Sequence, residues 1–524
     1  MTSICFYFQV HQPYRLRQYT FFDIGYRDNV FDDIKNRNVL NKVAEKCYLP
    51  ANQIFYNLIK KYNGAFKISY SLSGVTLEQF ENWSPDVLDC FKKLVDTGCV
   101  ELLSETYYHS LSYLYSKEEF KKQIQQHKEK IKQLFGIEPV VFRNTELIYN
   151  NEIASYISQL GYKAIIAEGV EKLLGYKSPN YIHHPPENSD FPILLKNYKL
   201  SDDIAFRFSD RHWKEFPLNA ETYAHWIHSI AGSGDVVNLF MDYETFGEHQ
   251  WAETGIFDFV KALPGEFLKS GKYKFATPHE LNEKLQPVGA IHVPYPISWA
   301  DEERDVTAWL GNDLQNEAFG KLYSLEETVR KCNDPDLLKA WSYLQTSDHF
   351  YYMCTKWFSD GDVHKYFNPY GTPYEAFINY MNVLSDFILQ VEKCSQFSQG
   401  DMTELKNAAG IVTEKAGKIA LEKVDEATEK IKKIVQKSRG TSLQEMKDMS
   451  DSTIKKLLKE IDVETLAIAL KDAEKELVDK IIPNMGVKFN KQFHEVQARL
   501  KKVNKTEIRK YQRIIEDKIK SFIK

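Results

Sequence analysis

The feature that most limits what this chain can become is an alternation. Apolar, β-branched and aromatic runs recur at residues 3–10, 66–72, 99–103, 139–143, 163–167, 203–208, 235–242 and 273–276. Several are separated by amphipathic segments of helix length, such as 50–62 (Asn52, Phe55, Leu58, Ile59) and 117–135 (Phe120, Ile124, Ile131, Leu134). Strands that alternate with helices imply βαβ units and a parallel sheet, and seven or eight of them suggest a closed barrel. The His-, Pro- and Gly-rich stretches 171–200 and 243–260 read as loops over an active face.

Two of the runs end on an acid: Val140-Val141-Phe142-Arg143-Asn144-Thr145-Glu146 and Val236-Val237-Asn238-Leu239-Phe240-Met241-Asp242. A buried strand that offers a carboxylate at its C-terminal tip is how barrel enzymes place reacting groups. Two carboxylates facing one cavity suit cleavage of a glycosidic bond. One attacks the sugar carbon or supports its positive charge, and the other protonates the leaving oxygen.

Other polar residues gather around these tips. His11, in His11-Gln12-Pro13, closes the first strand and suits a hydrogen bond to a sugar hydroxyl or a carboxylate. Glu101 and Glu105 lie in or beside an apolar strand. Each needs a partner or a task, because burying an unpaired charge is expensive. Arg143 and Asn144 sit beside Glu146 and favour its ionised form. Asp242 opens a stretch with further acids, His249, Tyr243, Phe246 and Trp251, and burial against those rings would raise the affinity of Asp242 for a proton.

Composition changes sharply along the chain. Residues 401–524 hold 28 Lys+Arg and 21 Asp+Glu, a net charge of +7, against 40 basic and 52 acidic residues before them, a net of −12. An acidic body argues against a nucleic-acid substrate. All eight Trp precede residue 358, and only four aromatic residues (Phe489, Phe493, Tyr511, Phe522) follow residue 400. The domains expected are a barrel over 1–290, an aromatic-rich helical bundle over 291–395, and a charged helical or coiled-coil extension over 396–524. In the extension, Val424, Ala427, Ile431 and Ile434 follow helical spacing. A solvated helix is favoured there over homo-oligomerisation or docking.

No signal-peptide pattern, membrane span or paired-cysteine pattern is found. With seven scattered cysteines this leads to an expectation of a cytoplasmic protein with reduced thiols and no membrane partner. His183-His184 and His225-x-x-His228 accompany neither an Asp-Asp strand end nor an H-x-x-x-H helix, so a metal-dependent deacetylase is the weaker reading.

Five short regions occur in the order seen in glycoside hydrolase family 57: His11-Gln12-Pro13, Gly98–Leu103, Arg143–Glu146, Met241–His249 and Thr277-Pro278-His279-Glu280-Leu281. Tyr107–Leu111, Met241–His249 and Leu344–Phe350 resemble its α-amylase subgroup in particular. The resemblance covers about residues 1–395. It implies an α/β fold, an incomplete (β/α)7 TIM-like barrel with a helical bundle, acting on α-1,4-glucans with retention of configuration and without a metal or other cofactor.

Matched residue by residue, the resemblance implies Glu146 as nucleophile and Asp242 as general acid/base. His11 and Glu101 fall at substrate-binding or supporting positions. Asp348 and Trp299 fall where the bundle closes the cleft. Arg143, His249 and Trp251 complete the expected substrate-binding set. His279 stands where a small polar residue is more usual. An α-amylase is expected; a 4-α-glucanotransferase sharing the intermediate and a non-catalytic glucan-binding protein are the alternatives.

Overall fold

The computed structural model describes residues 1–26, 29–230, 232–356, 368–398, 446–447, 449–471, 473–499 and a few positions between 508 and 519. Two compact units divide at residue 400.

The first unit is built on eight strands: β1 (Thr2–Val10), β2 (Ile68–Leu72), β3 (Val100–Leu102), β4 (Val141–Arg143), β5 (Ala164–Glu168), β6 (Ile193–Lys196), β7 (Val236–Asp242) and β8 (Tyr273–Phe275). All pairings between them are parallel. One sheet runs β3-β2-β1-β7, with β8 pairing the start of β1, and the other runs β4-β5-β6. A bridge from Ser104 to Phe142 joins β3 to β4. The Asn197 N–H donates to the Asn238 carbonyl at 2.9 Å and joins β6 to β7. Strands β1 to β7 therefore follow one another in an unbroken cycle.

Every residue of β1, β2, β5 and β6 is buried, which is why these strands read as continuous runs and not as alternating ones. Paired residues of parallel strands share a face. Tyr7, Ser69 and Glu101 form one such row and Gln9 and Asp242 another, two residues further along. Between the strand ends, Cys5, Tyr7, Leu103, Val141, Ala164, Ile166, Leu194, Phe240 and Ala276 make a separate apolar cluster. It plugs the interior. The other side of β1, β2 and β7 packs on helices Leu49–Lys61, Pro85–Val95 and Ile256–Lys269 through Phe8, Phe55, Tyr70, Phe91 and Phe259.

The helices expected at 50–62 and 117–135 form at Leu49–Lys61 and Lys117–Phe135. The second is capped by Ser116, whose side chain accepts from Glu119 N, and is ended by Gly136 in the left-handed conformation at φ 71°. The run 203–208 is a correction: it lies at the end of a helix, Tyr198–Ala205, capped by Asn197. Leu200, Ile204 and Phe208 are buried at a spacing of four, which is helical and not extended. The strand at this place in the cycle is β6, inside the stretch that reads as a loop.

Between Thr307 and Tyr351, and again over Pro373–Ser398, the described residues of the first unit are mostly helical. These helices bury Trp309, Trp341, Phe350 and Tyr380 in one cluster with Phe142, Ile165 and Ile193 of β4, β5 and β6.

In the second unit, helices Asp451–Leu457, Val463–Ala469, Lys475–Ile481 and Val487–Arg499 enclose their own core of Ile454, Leu457, Leu466, Leu477, Ile481 and Phe493. They are short helices packed around a core. The amphipathic positions Val424, Ala427, Ile431 and Ile434 lie outside the described residues. Among the described residues no helix is long and apolar enough to cross a membrane.

Candidate active site

Above the apolar plug, at the C-terminal ends of the strands, the interior turns polar. Gln9, Ser71, Arg143, Glu168, Lys196 and Asp242 come from β1, β2, β4, β5, β6 and β7, and Glu105 follows β3. The Gln9 amide links them, accepting from the Tyr7 and Ser71 hydroxyls (both 2.8 Å) and donating to Glu105 Oε1 (3.2 Å).

Glu146 stands one turn beyond β4 in the left-handed region (φ 57°, ψ 26°), followed by Leu147 at φ 51°. Each such residue costs on the order of 1–3 kcal/mol and persists only where its surroundings hold it. Here Asn144 spans the turn, accepting from Thr145 N (3.0 Å) and donating to the Ile148 carbonyl (3.0 Å). Trp299 clamps it from outside: its backbone N–H donates to the Glu146 carbonyl at 3.2 Å, and its indole Nε1–H to Glu146 Oε2 at 2.7 Å. The other carboxylate oxygen receives His109 Nε2 at 3.2 Å and Ser347 Oγ at 3.4 Å.

His109 reaches Glu105 Oε2 at 3.0 Å through Nδ1. With a carboxylate at each nitrogen, the doubly protonated ring satisfies both. Burial pushes this imidazole's pKa down, but the bonds and charges of Glu105 and Glu146 outweigh it and lift it to about 9. Burial likewise pushes Glu105 up, and His109, Arg143 and His127 bring it down to about 2. At Glu146 burial again raises the pKa. The His109 bond and charge, the Arg143 charge and the Trp299 bond reverse this, leaving it below the ordinary carboxylate value.

Asp242 moves the opposite way. Burial and then the Glu146 charge raise it to about 6, against the lowering charges of Arg143, Lys196 and His109. Two carboxylates that sense each other are thus driven apart in proton affinity.

Of the residues singled out in the sequence, Glu146, Asp242, Arg143, Trp299, His11 and Asp348 come together. Arg143 is fully buried, 3.8 Å from Glu105 and 5.0 Å from the Trp299 ring centroid. His11 binds Asp348 Oδ2 (2.9 Å) and Ser73 Oγ (2.7 Å).

Three stand elsewhere. Glu101 stands apart from the carboxylates at the strand tips. It lies below the apolar plug, where its Oε2 accepts the His279 N–H at 2.9 Å. It lines a cavity of about 240 Å³ with Lys67, Gly98, Pro139 and Thr277, which precede β2, β3 and β4 or follow β8. Burial pushes it up to about 7. His279 is the second residue of the helix Pro278–Lys284, so its place beside Glu101 is that of a helix N-terminus facing a carboxylate. His249 and Trp251 lie in the loop after β7. His249 is held by its N–H to the Glu244 carbonyl (2.9 Å) and pushed down to about 4 by burial; Trp251 is 53% exposed with Lys46 over its ring.

His109 and Ser347, inside the stretches Tyr107–Leu111 and Leu344–Phe350 but without a role from the sequence, gather here too, and so do Glu168 and Lys196, which the sequence reading leaves out. Glu168 and Lys196 carried the same signal as Glu146 and Asp242, a charged residue ending a buried apolar run.

The family model "Glycosyl hydrolase family 57" matches residues 5–294, and a second, "FliG C-terminal domain", matches residues 437–524. A Methanocaldococcus jannaschii protein named "Putative alpha-amylase" is 45% identical over 414 residues, 76% of this chain and 86% of that relative. A GH57-type branching enzyme from Pyrococcus horikoshii superposes with a TM-score of 0.56 at 14% identity, over 79% of this chain and 94% of that one. A 4-alpha-glucanotransferase from Thermococcus litoralis superposes with a TM-score of 0.51 at 17% identity, over 67% of this chain and 56% of that one. A match across more than half of the sequence, on a cycle of parallel strands with two carboxylates at its rim, leads to one conclusion: the chain belongs to glycosyl hydrolase family 57.

Proposed function

We propose that the protein is an α-amylase, a retaining hydrolase of α-1,4-glucosidic bonds, working in an incomplete (β/α)7 barrel whose cleft is closed by the loop 298–305 and the helices that follow it from Thr307. The observation that carries this reading is the opposed proton affinity of Glu146 and Asp242. A nucleophile must be ionised and a general acid protonated at the same pH, and pairs driven apart by their environments mark such roles.

Glu146 attacks the anomeric carbon while Asp242 gives its proton to the leaving oxygen; the glycosidic bond breaks and a glycosyl ester forms on Glu146. Asp242, now ionised, takes a proton from water, whose oxygen attacks the same carbon and releases Glu146. Two inversions give net retention, and the mechanism needs the carboxyl groups about 5–5.5 Å apart. Trp299, His109 and Ser347 hold the carboxylate of Glu146 as it gains and loses the ester bond. His11, whose two ring nitrogens are taken by Ser73 and Asp348, lies stacked on His109 and orients the Asp348 carboxylate.

The name of the relative at 45% identity supports hydrolysis over transfer. Incubation with maltoheptaose, following reducing ends and product lengths together, tests it. Shorter products with rising reducing ends establish a hydrolase. Longer products at a constant number of reducing ends establish a 4-α-glucanotransferase, and unchanged substrate refutes both.

A further inference from the structure

Among the described residues, Trp299 is the one neighbour that bonds Glu146 through both backbone and side chain. It lies in the loop 298–305, outside any helix or strand, with Asp301 and Arg304 in the left-handed region at φ 53° and 54°. A loop does not hold an indole to hydrogen-bonding accuracy unless something anchors it.

The anchor is a charge cage on β5 and β6. Lys196 ends β6 and reaches Asp202 Oδ1 at 3.0 Å and Glu168 Oε2 at 3.5 Å; its side chain is 5% exposed. Arg304 sits on the same two acids, 3.4 Å from Glu168 Oε2 and 3.2 Å from Asp202 Oδ2, and also donates to the Trp299 carbonyl. Two cations and two anions balance, so no buried charge is left over. The Lys196 ammonium then lies 5.5 Å from the Trp299 ring centroid, and the Arg143 guanidinium 5.0 Å. Both distances are within cation–π range.

We infer that Lys196 is a positioning residue: it completes the Glu168–Asp202–Arg304 cage that pins the loop 298–305 and, with Arg143, holds the Trp299 indole against the carboxylate of Glu146. This deepens the reading of Glu146 as nucleophile and rests on it. Lys196 acts through Trp299. The charges around it are Glu168 on β5, Asp202 on the helix after β6, Arg304 on the loop, Asp242 at the end of the neighbouring β7, and Arg143 at the end of β4 across the Trp299 ring. Its removal therefore takes a positive charge from the surroundings of Asp242.

The test uses the full chain labelled with 5-fluorotryptophan, the Trp299 resonance being identified as the ¹⁹F line missing from Trp299→Phe. In Lys196→Met this line is expected to move or broaden. In the same variant kcat on maltoheptaose falls about 10–100-fold, the loss typical of a misplaced reacting group, and the basic limb of kcat/KM moves to higher pH. Lys196→Arg restores the line and most of kcat. Lys199→Met, which breaks the exposed pair with Glu171, changes neither.

A Trp299 line and a kcat unchanged in folded Lys196→Met overturn the proposal. So does a loss of kcat with the line and the pH limb both unmoved, which is the mark of a merely structural role. If Lys196→Met does not fold, Glu168→Gln, which removes one anion of the cage, is read by the same two measurements and decides in the same way. A wild-type protein inactive on maltoheptaose whose Trp299 line still moves in Lys196→Met keeps the cage and refutes the function.

Discussion

The rings of His11 and His109 are stacked, centroids 3.9 Å apart and planes within 17°, yet each keeps its own carboxylate partner. Two imidazolium ions at that separation repel strongly. The pair resolves the conflict by dividing the charge. His109, between Glu105 and Glu146, is lifted to about 9, while burial and the charge of His109 hold His11 below its ordinary value in spite of Asp348. At neutral pH the cation belongs to His109, next to the carboxylate that it keeps ionised.

Replacing that cation tests the arrangement. In His109→Asn, Glu146 loses a hydrogen bond and a positive charge, so its pKa rises and the acid limb of kcat/KM moves to higher pH. The optimum rate falls by about 10²-fold. The stability that His109 contributes is complete below about 6.5 and is lost as pH rises through about 9, because its folded pKa lies above its unfolded one. Thermal unfolding should accordingly show the variant more destabilised at pH 6 than at pH 10.

The pH profile of the wild type follows from Asp242. As general acid it must carry a proton, and its pKa of about 6 places the basic limb of kcat/KM near pH 6. Above this limb the rate falls tenfold per pH unit. Initial rates on a maltooligosaccharide between pH 4 and 9 give the limb directly; a plateau extending to pH 8 would remove Asp242 from the role.

Glu101 predicts an effect on stability and not on chemistry. Its folded pKa of about 7 lies above the ordinary value of 4.5, so its contribution is most favourable below 4.5 and declines as pH rises to about 7. Glu101→Gln keeps an acceptor for the His279 N–H and removes the charge. It should stabilise the protein by ~1–3 kcal/mol at pH 8 and by little at pH 4.5, with kcat within about twofold of wild type. Thermal melts at the two pH values read this difference.

Much of the fold was legible because buried parallel strands leave runs of apolar residues that helices interrupt. What failed was the distinction of short elements. Ile193–Lys196 is a four-residue strand behind Pro192 in a stretch full of turn residues, and Ile204 to Phe208 mimic a strand although their burial has a helical period. The site divides in the same way. A charge ending an apolar run was visible at Glu146 and Asp242, and equally at Glu168 and Lys196, where it was passed over.

Register was not visible. Glu101 lies on β3 and Glu105 four residues on, just beyond it, and only their distant neighbours, Lys67, Pro139 and Thr277 around the first and Gln9 and His109 on the second, show that they face opposite ends of the interior. The bonds that define Glu146 join it to His109, Trp299 and Ser347, which are 37, 153 and 201 residues away, and local pattern carries no information at that range.

The most direct test of the central claim, covalent catalysis by Glu146 with Asp242 as its proton partner, is the mass of Asp242→Asn after incubation with α-maltosyl fluoride. Fluoride leaves without needing a proton, so the first step proceeds, while the second is starved of its base. The expected result is a gain of one maltosyl unit located on the peptide containing Glu146, and absent when Glu146→Gln is added. Turnover with no adduct and an inverted product, or an adduct on any other residue, would contradict it.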